Sequence, residues 1–312
     1  MILNTGQRTD IPAFYSRWLV NRLDAGYVLV RNPYNPSQVT RYRLTPDVVD
    51  LIVLCTKNPA PMMEKMQALR PFRQFWQVTL TPYGREIEPH VPDKREVIRS
   101  FRRLSERVGP LHTGWRYDPI LINVTYPVER HLRAFEFMAR ELAGATHTAV
   151  ISFIDLTGRT RQSFPEARPV QREQRLALGE ALVQIARRYD MELRACAEGD
   201  ELARFGVDCS GCMTVDKYER VIGQRLRIPG RLPAVRSSCA CYLSGDIGAY
   251  NSCGHLCRYC YANDHPELVR KNMARHDPAS PLLIGHLQPG DVVREARQES
   301  WLDPQMSMDF SF

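Results

Sequence analysis

The sequence predicts an α/β fold that is built as a full or partial β/α barrel. Five apolar, strand-like runs alternate with segments whose apolar residues recur every three or four positions. Strands that are apolar throughout are typical of a parallel sheet covered by helices. At least five such units within about 200 residues favour a barrel. A doubly wound open sheet is the alternative, and it is weakened because no glycine-rich dinucleotide motif follows the first strand.

The first elements are a short apolar strand and a capped helix. The strand covers Ile2 to Asn4, and Thr9 or Asp10 can cap a helix that has Pro12 in its first turn. Two further strand-like stretches, joined by asparagine and proline residues, predict a hairpin over residues 27–45 that is inserted after this helix.

The remaining strands and helices alternate along the chain. The predicted strands are Leu51 to Cys55, Phe75 to Leu80, Trp115 to Ile122, Ala149 to Ile154 and Glu192 to Cys196. Helical spacing of apolar residues predicts helices around Val97 to Val108, Val128 to Leu142 and Leu178 to Tyr189. We expect all of these elements to form one domain over residues 1–312.

The composition is that of a soluble globular protein, with 44% hydrophobic and 25% charged residues. No apolar run reaches about 18 residues, so we expect no transmembrane helix and no membrane partner. The first ten residues lack the basic and apolar stretches of a signal peptide, so we expect a cytoplasmic location. In that reducing compartment the nine cysteines are not expected to form disulfides.

The formal net charge is +7, and five of the 42 basic residues are lysine. The others are arginines, which bind phosphate and carboxylate groups well. An excess of arginine over lysine can also result from the base composition of the coding DNA, and arginine-rich helices are commonly exposed to solvent. The charge therefore permits a nucleic-acid partner but does not demand one.

The most specific motif is Cys253-Gly-His-Leu-Cys257-Arg-Tyr-Cys260, which has the spacing C-x3-C-x2-C. Three thiolates on one short loop can bind three irons of a [4Fe-4S] cluster and leave the fourth iron open to a small molecule. Zinc ribbons generally use pairs of C-x2-C instead. A zinc site formed by these three cysteines and either His255 or His265 is the alternative.

This motif resembles the cluster loop of the radical S-adenosylmethionine enzymes, in which an aromatic residue precedes the last cysteine as Tyr259 does here. In those enzymes the open iron binds S-adenosylmethionine. An electron from the cluster cleaves it to methionine and a 5′-deoxyadenosyl radical, which abstracts hydrogen from a substrate. The resemblance implies a barrel of that type, Cys253, Cys257 and Cys260 as cluster ligands, and Tyr259 near the adenine.

The loop, residues 246–263, lies near the C-terminus, whereas in the usual superfamily order it follows the first strand. The chain is more similar to an uncharacterised family, a domain of unknown function with the motif near its C-terminus, and distantly resembles spore photoproduct lyase. The similar stretches are residues 8–15, 56–59, 79–84, 115–119, 151–155, 246–251 and 280–285. We therefore expect a circularly permuted barrel with Asp246 to Tyr250 beside the N-terminal strand, because rearrangement is tolerated where termini meet.

A second group of cysteines lies within residues 196–245. Its members are Cys196, Cys209, Cys212, Cys239 and Cys241. Cys209 and Cys212 form a C-x2-C pair, which is common at both zinc and iron–sulfur sites. The resemblance to the uncharacterised family instead implies Cys196, Cys212, Cys239 and Cys241 as the ligands. We expect a second [4Fe-4S] cluster here, with zinc as the alternative.

Polar residues follow the predicted strands, and the active sites of β/α barrels lie at the carboxyl ends of their strands. The candidate catalytic residues are Lys57, Arg116, Asp118 and Asp155. The candidates for binding the cofactor are Tyr259, Asn58, Thr81, Glu198, Arg8 and Asp10. Each has an ordinary loop or cap role as its alternative. Arg116 and Asp118, two apart on one strand, can also pair with each other.

Together these features predict a radical S-adenosylmethionine enzyme that acts on an unidentified substrate and receives electrons from a reductant such as flavodoxin or ferredoxin. The alternative is a nucleic-acid-binding protein that is stabilised by zinc or a cluster and performs no radical chemistry. Hydrolase functions have little support, because the sequence has no Ser/His/Asp elbow, phosphate loop or H-E-x-x-H motif.

Overall fold

The structure is a computed structural model that describes residues 1–228, 241–242 and 245–304. Its strands are β1 (Ile2–Asn4), β2 (Tyr27–Arg31), β3 (Gln38–Arg43), β4 (Leu51–Thr56), β5 (Gln74–Thr79), β6 (Thr113–Ile120), β7 (Thr148–Phe153), β8 (Glu192–Ala195) and β9 (Val292–Glu295). Its α-helices are α1 (Ile11–Phe14), α2 (Ser16–Ala25), α3 (Ala60–Met63), α4 (Lys94–Val108), α5 (Val128–Leu142), α6 (Gly158–Ser163), α7 (Arg172–Arg188), α8 (Val215–Ile222) and α9 (Pro266–Ala274).

Six strands form one parallel sheet in the order β1-β4-β5-β6-β7-β8. The order follows the chain without the reversal that defines a doubly wound sheet, so that alternative is wrong. Each of the five later strands and three long helices predicted from the sequence is present, with ends shifted by a few residues. All three long helices lie between consecutive strands of the sheet, as the alternating pattern predicts.

Single-residue bridges extend both edges of this sheet. Asp246 forms a parallel bridge with Asn4 of β1, and Asp208 forms one with Arg194 of β8. The expected position of the segment before the cysteine loop, beside the N-terminal strand, is therefore confirmed. No strand pairing joins the two edges within the part of the chain that the structure describes. Of the full or partial barrel that the sequence predicts, the full, closed form is thus not observed there, and the strands form an open six-stranded parallel sheet.

One face of the sheet is concave around a shared interior. Gln77 of β5 donates to the Cys212 carbonyl at 3.4 Å, and Arg116 of β6 donates to the Cys212 thiol at 3.3 Å. Cys196, the residue that follows β8, has its thiol 3.3 Å from the same Cys212 thiol. Side chains from strands that are several positions apart in the sheet thus meet at one point.

Helices cover the other face, which explains why the strand residues on that face are apolar. All six residues of β7 are buried. Trp115 of β6 stacks on Phe135 of α5, with ring centroids 4.5 Å apart, and both rings are completely buried. Burial of each such side chain contributes about 1.5–3 kcal/mol, so the outer helices stabilise the sheet that positions the site.

The predicted hairpin is present as β2 and β3, which pair in antiparallel register from Tyr27–Arg43 to Arg31–Val39. It belongs to a second sheet, because β9 adds to β3 in parallel. The sequence pattern did not predict β9, whose four residues are all exposed. The second sheet therefore joins the hairpin to a segment near the end of the chain.

The first predicted helix is divided in two. Asp10 caps α1 through its carboxylate, which accepts the Ala13 N–H at 3.0 Å, and Pro12 lies in the first turn as predicted. Tyr15 departs from helical geometry and separates α1 from α2. Its hydroxyl donates to the Ser252 carbonyl at 2.6 Å, so the break contacts the segment that leads into the cysteine loop.

None of the helices in the described ranges combines the length and the apolar character that a membrane crossing requires.

Gly6, which follows β1, lies close to Cys55 of β4, and this contact can be used to test the packing of the two strands. A Cβ at Gly6 would lie 2.4 Å from Cys55 Cβ and 2.6 Å from the Cys55 carbonyl oxygen. We expect Gly6→Ala to destabilise the protein by about 1–3 kcal/mol in urea denaturation, because β1 and β4 must separate. Gly158→Ala is the control, since a Cβ there meets nothing within 4 Å. Equal midpoints for the two variants would contradict the packing described.

Candidate functional site

The cysteine loop lies at the carboxyl edge of the parallel sheet. Its approach segment is bonded to β1: the Asn4 N–H donates to the Gly245 carbonyl at 2.9 Å, and the Ile247 N–H donates to the Asn4 carbonyl at 3.1 Å. Within the loop, the Cys260 N–H donates to the Cys257 carbonyl at 3.0 Å. Tyr259 of the loop also meets Lys57, which follows β4, and Glu88, which follows β5.

Asp10 connects three segments of this edge. Besides capping α1, its carboxylate accepts the Lys57 N–H at 2.7 Å and lies 2.9 Å from His255 Nε2 in the cysteine loop. Both side chains are almost completely buried. Asp10 was considered either as a cofactor ligand or as a helix cap. The structure gives it the cap role and, in addition, the role of fixing the loop.

The two histidines considered as zinc ligands for the loop do not face its thiols. His255 Nδ1 lies 3.3 Å from the His90 carbonyl, so both of its ring nitrogens face oxygen atoms. His265 is exposed and caps α9, with its Nδ1 3.4 Å from the Leu268 nitrogen. The alternative of a zinc site with either histidine therefore finds no support in this geometry.

Glu88 is the centre of a buried charge cluster that the sequence analysis missed. Its carboxylate is inaccessible to solvent and accepts Lys57 Nζ at 2.8 Å and Thr81 Oγ1 at 2.7 Å. Lys94 Nζ and the Tyr259 hydroxyl also donate to it. Burial alone raises the pKa of Glu88, but Lys57 and Lys94 outweigh it and lower the pKa to about 2.

The two lysines respond differently to this environment. Burial lowers the pKa of Lys57, but the carboxylate of Glu88 and the nearby Cys257 outweigh it, so the net shift is upward. Lys94 has a lowered pKa, because burial dominates over its pairing with Glu88. Lys57 and Thr81, both predicted site residues, are thus brought together with Tyr259 through Glu88.

The Cys257 thiol of the cysteine loop is buried beside these charges, and Cys253 and Cys260 are half-buried. Burial raises the pKa of Cys257 to about 12, and Lys57 acts in the opposite direction. Burial also raises the pKa of Cys260, whose sulfur accepts the Ala262 N–H at 3.3 Å. A bound metal would provide the positive charge that these buried groups need in order to ionise.

Arg116 and Asp118 form an ion pair with each other, which is the alternative that their spacing allowed. The Ser152 hydroxyl donates to Asp118. Arg116 also donates to the Cys212 thiol at 3.3 Å. The pair therefore belongs to the concave interior, and Asp118 is close enough to contribute to the raised pKa of Lys57.

The other predicted site residues have structural contacts. Asn58 accepts the Ala60 N–H at 3.3 Å in the turn after β4. Glu198 accepts the Phe153 N–H at 2.8 Å at the end of β7. Asp155 is exposed beyond β7. Arg8 pairs with Asp246, as well as donating to its carbonyl, and so holds the segment beside β1.

Three cysteines of the second group converge in the concave interior. The sulfur atoms are 3.3 Å apart for Cys196 and Cys212, 3.3 Å for Cys212 and Cys241, and 3.8 Å for Cys196 and Cys241. These three could bind a metal ion. Cys209 donates to the Val207 carbonyl at 3.7 Å and is not part of this triad. The predicted ligand Cys239 lies outside the described residues.

The site residues that the sequence did not predict have no recognisable pattern around them. Glu88 lies between β5 and α4 in a stretch without regular apolar spacing, and Lys94 is the first residue of α4. Ser152 lies within a strand and has no distinguishing pattern in the sequence. Its contact with Asp118 is seen only in the folded chain. The pairing of Asp10 with His255 joins residues that are 245 positions apart.

The charge cluster makes stability depend on pH in the acid range. Glu88 has a depressed pKa, so its contribution is complete above about pH 4.5, the value in the unfolded chain, and is lost as pH falls through about 2. We expect Glu88→Gln to lose about 3–5 kcal/mol at pH 7, because two lysines are left without their counter-ion.

Urea denaturation between pH 2 and pH 7 is the measurement, and the Glu88→Gln variant should show a flatter acid dependence than the wild type. Glu106→Gln, on an exposed position of α4, is the matched control and should behave as the wild type. A Glu88→Gln variant with wild-type stability at pH 7 would mean that the cluster is not buried as described.

Comparison with known proteins gives a family and no function. No curated protein matches the chain, and no solved structure matches it. One family model matches residues 2–262, which includes β1 to α8 and all three cysteines of the loop. The similar stretch at residues 280–285 lies beyond this match. Because the match covers most of the chain, the protein belongs to the family described as domain of unknown function DUF1848.

Proposed function

We propose that this protein is a radical S-adenosylmethionine enzyme with an open [4Fe-4S] cluster on the loop of Cys253, Cys257 and Cys260. The observation that carries the proposal is the position of the C-x3-C-x2-C loop. It lies at the carboxyl edge of a parallel sheet whose strands follow chain order, beside β1 and the Lys57–Glu88 pair. In β/α enzymes that edge is where chemistry takes place.

The loop fits a cluster better than a single ion. The sulfur atoms of the three cysteines do not all lie within 4.8 Å of one another, whereas those of the Cys196 triad do. Ligands of separate irons in a cube lie further apart than ligands that share one ion. The Ala262 N–H donates to the Cys260 sulfur, and hydrogen bonds of this kind tune iron–sulfur clusters.

Buried polar atoms without partners surround the loop and suit a polar cofactor. The Asn4 side-chain amide, Gln7 Nε2, Thr9 Oγ1 and Asn263 Oδ1 are buried and have no hydrogen-bond partner. Asn263 also donates to the Cys253 carbonyl at 2.9 Å. Leaving such groups unpaired costs about 1–3 kcal/mol each. The amino acid and ribose groups of S-adenosylmethionine offer the missing partners.

The chain's own residues would hold and shield this centre. Asp10 fixes the loop through His255, and Glu88, ionised at neutral pH, holds Lys57 and Tyr259 at the loop's edge. Burial of these groups excludes water, which radical chemistry requires. When bound, the cluster would supply the electron that cleaves S-adenosylmethionine and so starts hydrogen abstraction from a substrate. A flavodoxin- or ferredoxin-type protein would supply that electron.

The residue roles follow from these contacts. Among the candidate catalytic residues, Lys57 lies beside the loop, with its Nζ 5.5 Å from the Tyr259 ring centre. Arg116 and Asp118 line the interior on the side of the second cysteine group and would face substrate there. Asp155, which is exposed, would contact substrate only at the rim.

One observation favours the second candidate, nucleic-acid binding without radical chemistry. A surface cavity of about 490 Å³ is lined by Lys94, Arg130, Arg133 and Phe137. Its positive charge and aromatic ring suit a phosphate backbone. Because Lys94 also pairs with Glu88, this cavity is adjacent to the loop and is equally suited to an anionic substrate of the enzyme.

The metal content separates the two functions. We expect anaerobically purified protein to be brown, with broad absorption near about 400 nm that bleaches on reduction, as for a thiolate-ligated cluster. Iron should be present at about four atoms per chain for the loop cluster. Absorption spectra and elemental analysis are the measurements, and colourless protein without iron would contradict the proposal.

The loop cysteines are tested by Cys257→Ala. We expect this variant to abolish the formation of 5′-deoxyadenosine from S-adenosylmethionine in the presence of dithionite, because the cluster loses one of its three ligands. Cys209→Ala is the control, since Cys209 belongs to neither cysteine site, and it should retain the wild-type rate. Far-ultraviolet circular dichroism checks that both variants are folded. Undiminished cleavage in Cys257→Ala would refute the ligand assignment.

A further inference from the structure

We propose that Cys196, Cys212 and Cys241 bind a single tetrahedral zinc ion, and that this second centre is not an iron–sulfur cluster. The three sulfur atoms are 3.3, 3.3 and 3.8 Å apart. Zinc–sulfur bonds of about 2.3 Å at tetrahedral angles place neighbouring sulfurs about 3.8 Å apart. The triad therefore has nearly the spacing of ligands that share one ion, and it is too compact for ligands of separate irons.

The three cysteines belong to separate segments of the chain, and the backbone brings them together. Cys196 follows β8 directly, and its N–H donates to the Ile151 carbonyl of β7 at 2.9 Å. Gly211 precedes Cys212 with a φ of +110°, and a Cβ there would lie 3.3 Å from the Cys241 sulfur. Only glycine allows the chain to turn this tightly against the third thiol.

Two further contacts hold the turn in place. The buried Arg194 donates to the Gly211 carbonyl and to Thr214 Oγ1, each at 3.3 Å. The Tyr242 N–H donates to the Met213 carbonyl at 2.7 Å, which fixes the residue after Cys241 against the residue after Cys212. The site is therefore preorganised by strand, turn and side chain rather than by the thiols alone.

The surroundings suit sulfur atoms that carry negative charge. Arg116 donates to the Cys212 sulfur at 3.3 Å, and the Cys212 N–H donates to the Cys241 sulfur, also at 3.3 Å. Asp118 holds the guanidinium in place. Donors of this kind orient metal-bound thiolates and offset their charge. Among divalent ions, a set of thiolates selects zinc over magnesium or calcium.

The two cysteine sites can be separated by mutation, because no ligand is shared between them. We expect anaerobically purified wild-type protein to contain about one zinc per chain in addition to the loop's iron. The triple variant Cys253→Ser, Cys257→Ser, Cys260→Ser should lose the iron and keep the zinc. Cys212→Ser should lose the zinc, and Cys209→Ser, the matched control, should keep it. Elemental analysis per chain is the measurement.

The outcomes distinguish this inference from the proposed function. Iron and absorption near 400 nm that survive in the triple variant would place a cluster at the triad and overturn the inference, as would a wild-type protein without zinc. Protein with zinc but no iron would overturn only the radical function. Should Cys212→Ser fail to fold, zinc-edge X-ray absorption of the wild type decides. Sulfur neighbours at about 2.3 Å are expected, and a shell without sulfur contradicts the assignment.

Discussion

The arrangement of the site depends on one long-range contact. A segment from the last third of the chain comes back to lie against the first strand, β1. Asp10 fixes that return, since one buried carboxylate caps α1, accepts the Lys57 N–H and meets His255 of the cysteine loop. The bridge between Asn4 and Asp246 fixes the same return at the level of the backbone. A loop that comes late in the sequence thereby occupies the place beside the first strand of the sheet.

Much of this fold could be predicted because its signals are local. Apolar runs and helical spacing identified β4 to β8 and the long helices, since each pattern reports burial on its own element. The position of Asp246 could be predicted because the resemblance implies a permuted barrel, in which the segment before the cysteine loop lies beside the first strand. The exposed strand β9 had no such pattern, because it is not buried.

The site was predicted less completely, because its contacts are not local. Lys57 and Thr81 were found as polar residues after strands, but the carboxylate that joins them, Glu88, comes from a loop without periodicity. Spacing identified the loop cysteines and crowding along the chain identified the second group, yet only the fold shows that three of the second group are close together. Arg116, a candidate for catalysis, also donates to a thiol of the compact group.

The cysteine triad has members that lie close in sequence to both open edges of the parallel sheet. Cys196 follows the last strand directly, and Cys241 precedes by four positions the residue that bonds to the first strand. An ion shared by these thiols would join opposite borders of the sheet by coordination bonds, where a closed barrel uses hydrogen bonds. Those coordination bonds would reinforce a junction that the hydrogen bond from Tyr242 to Met213 already holds.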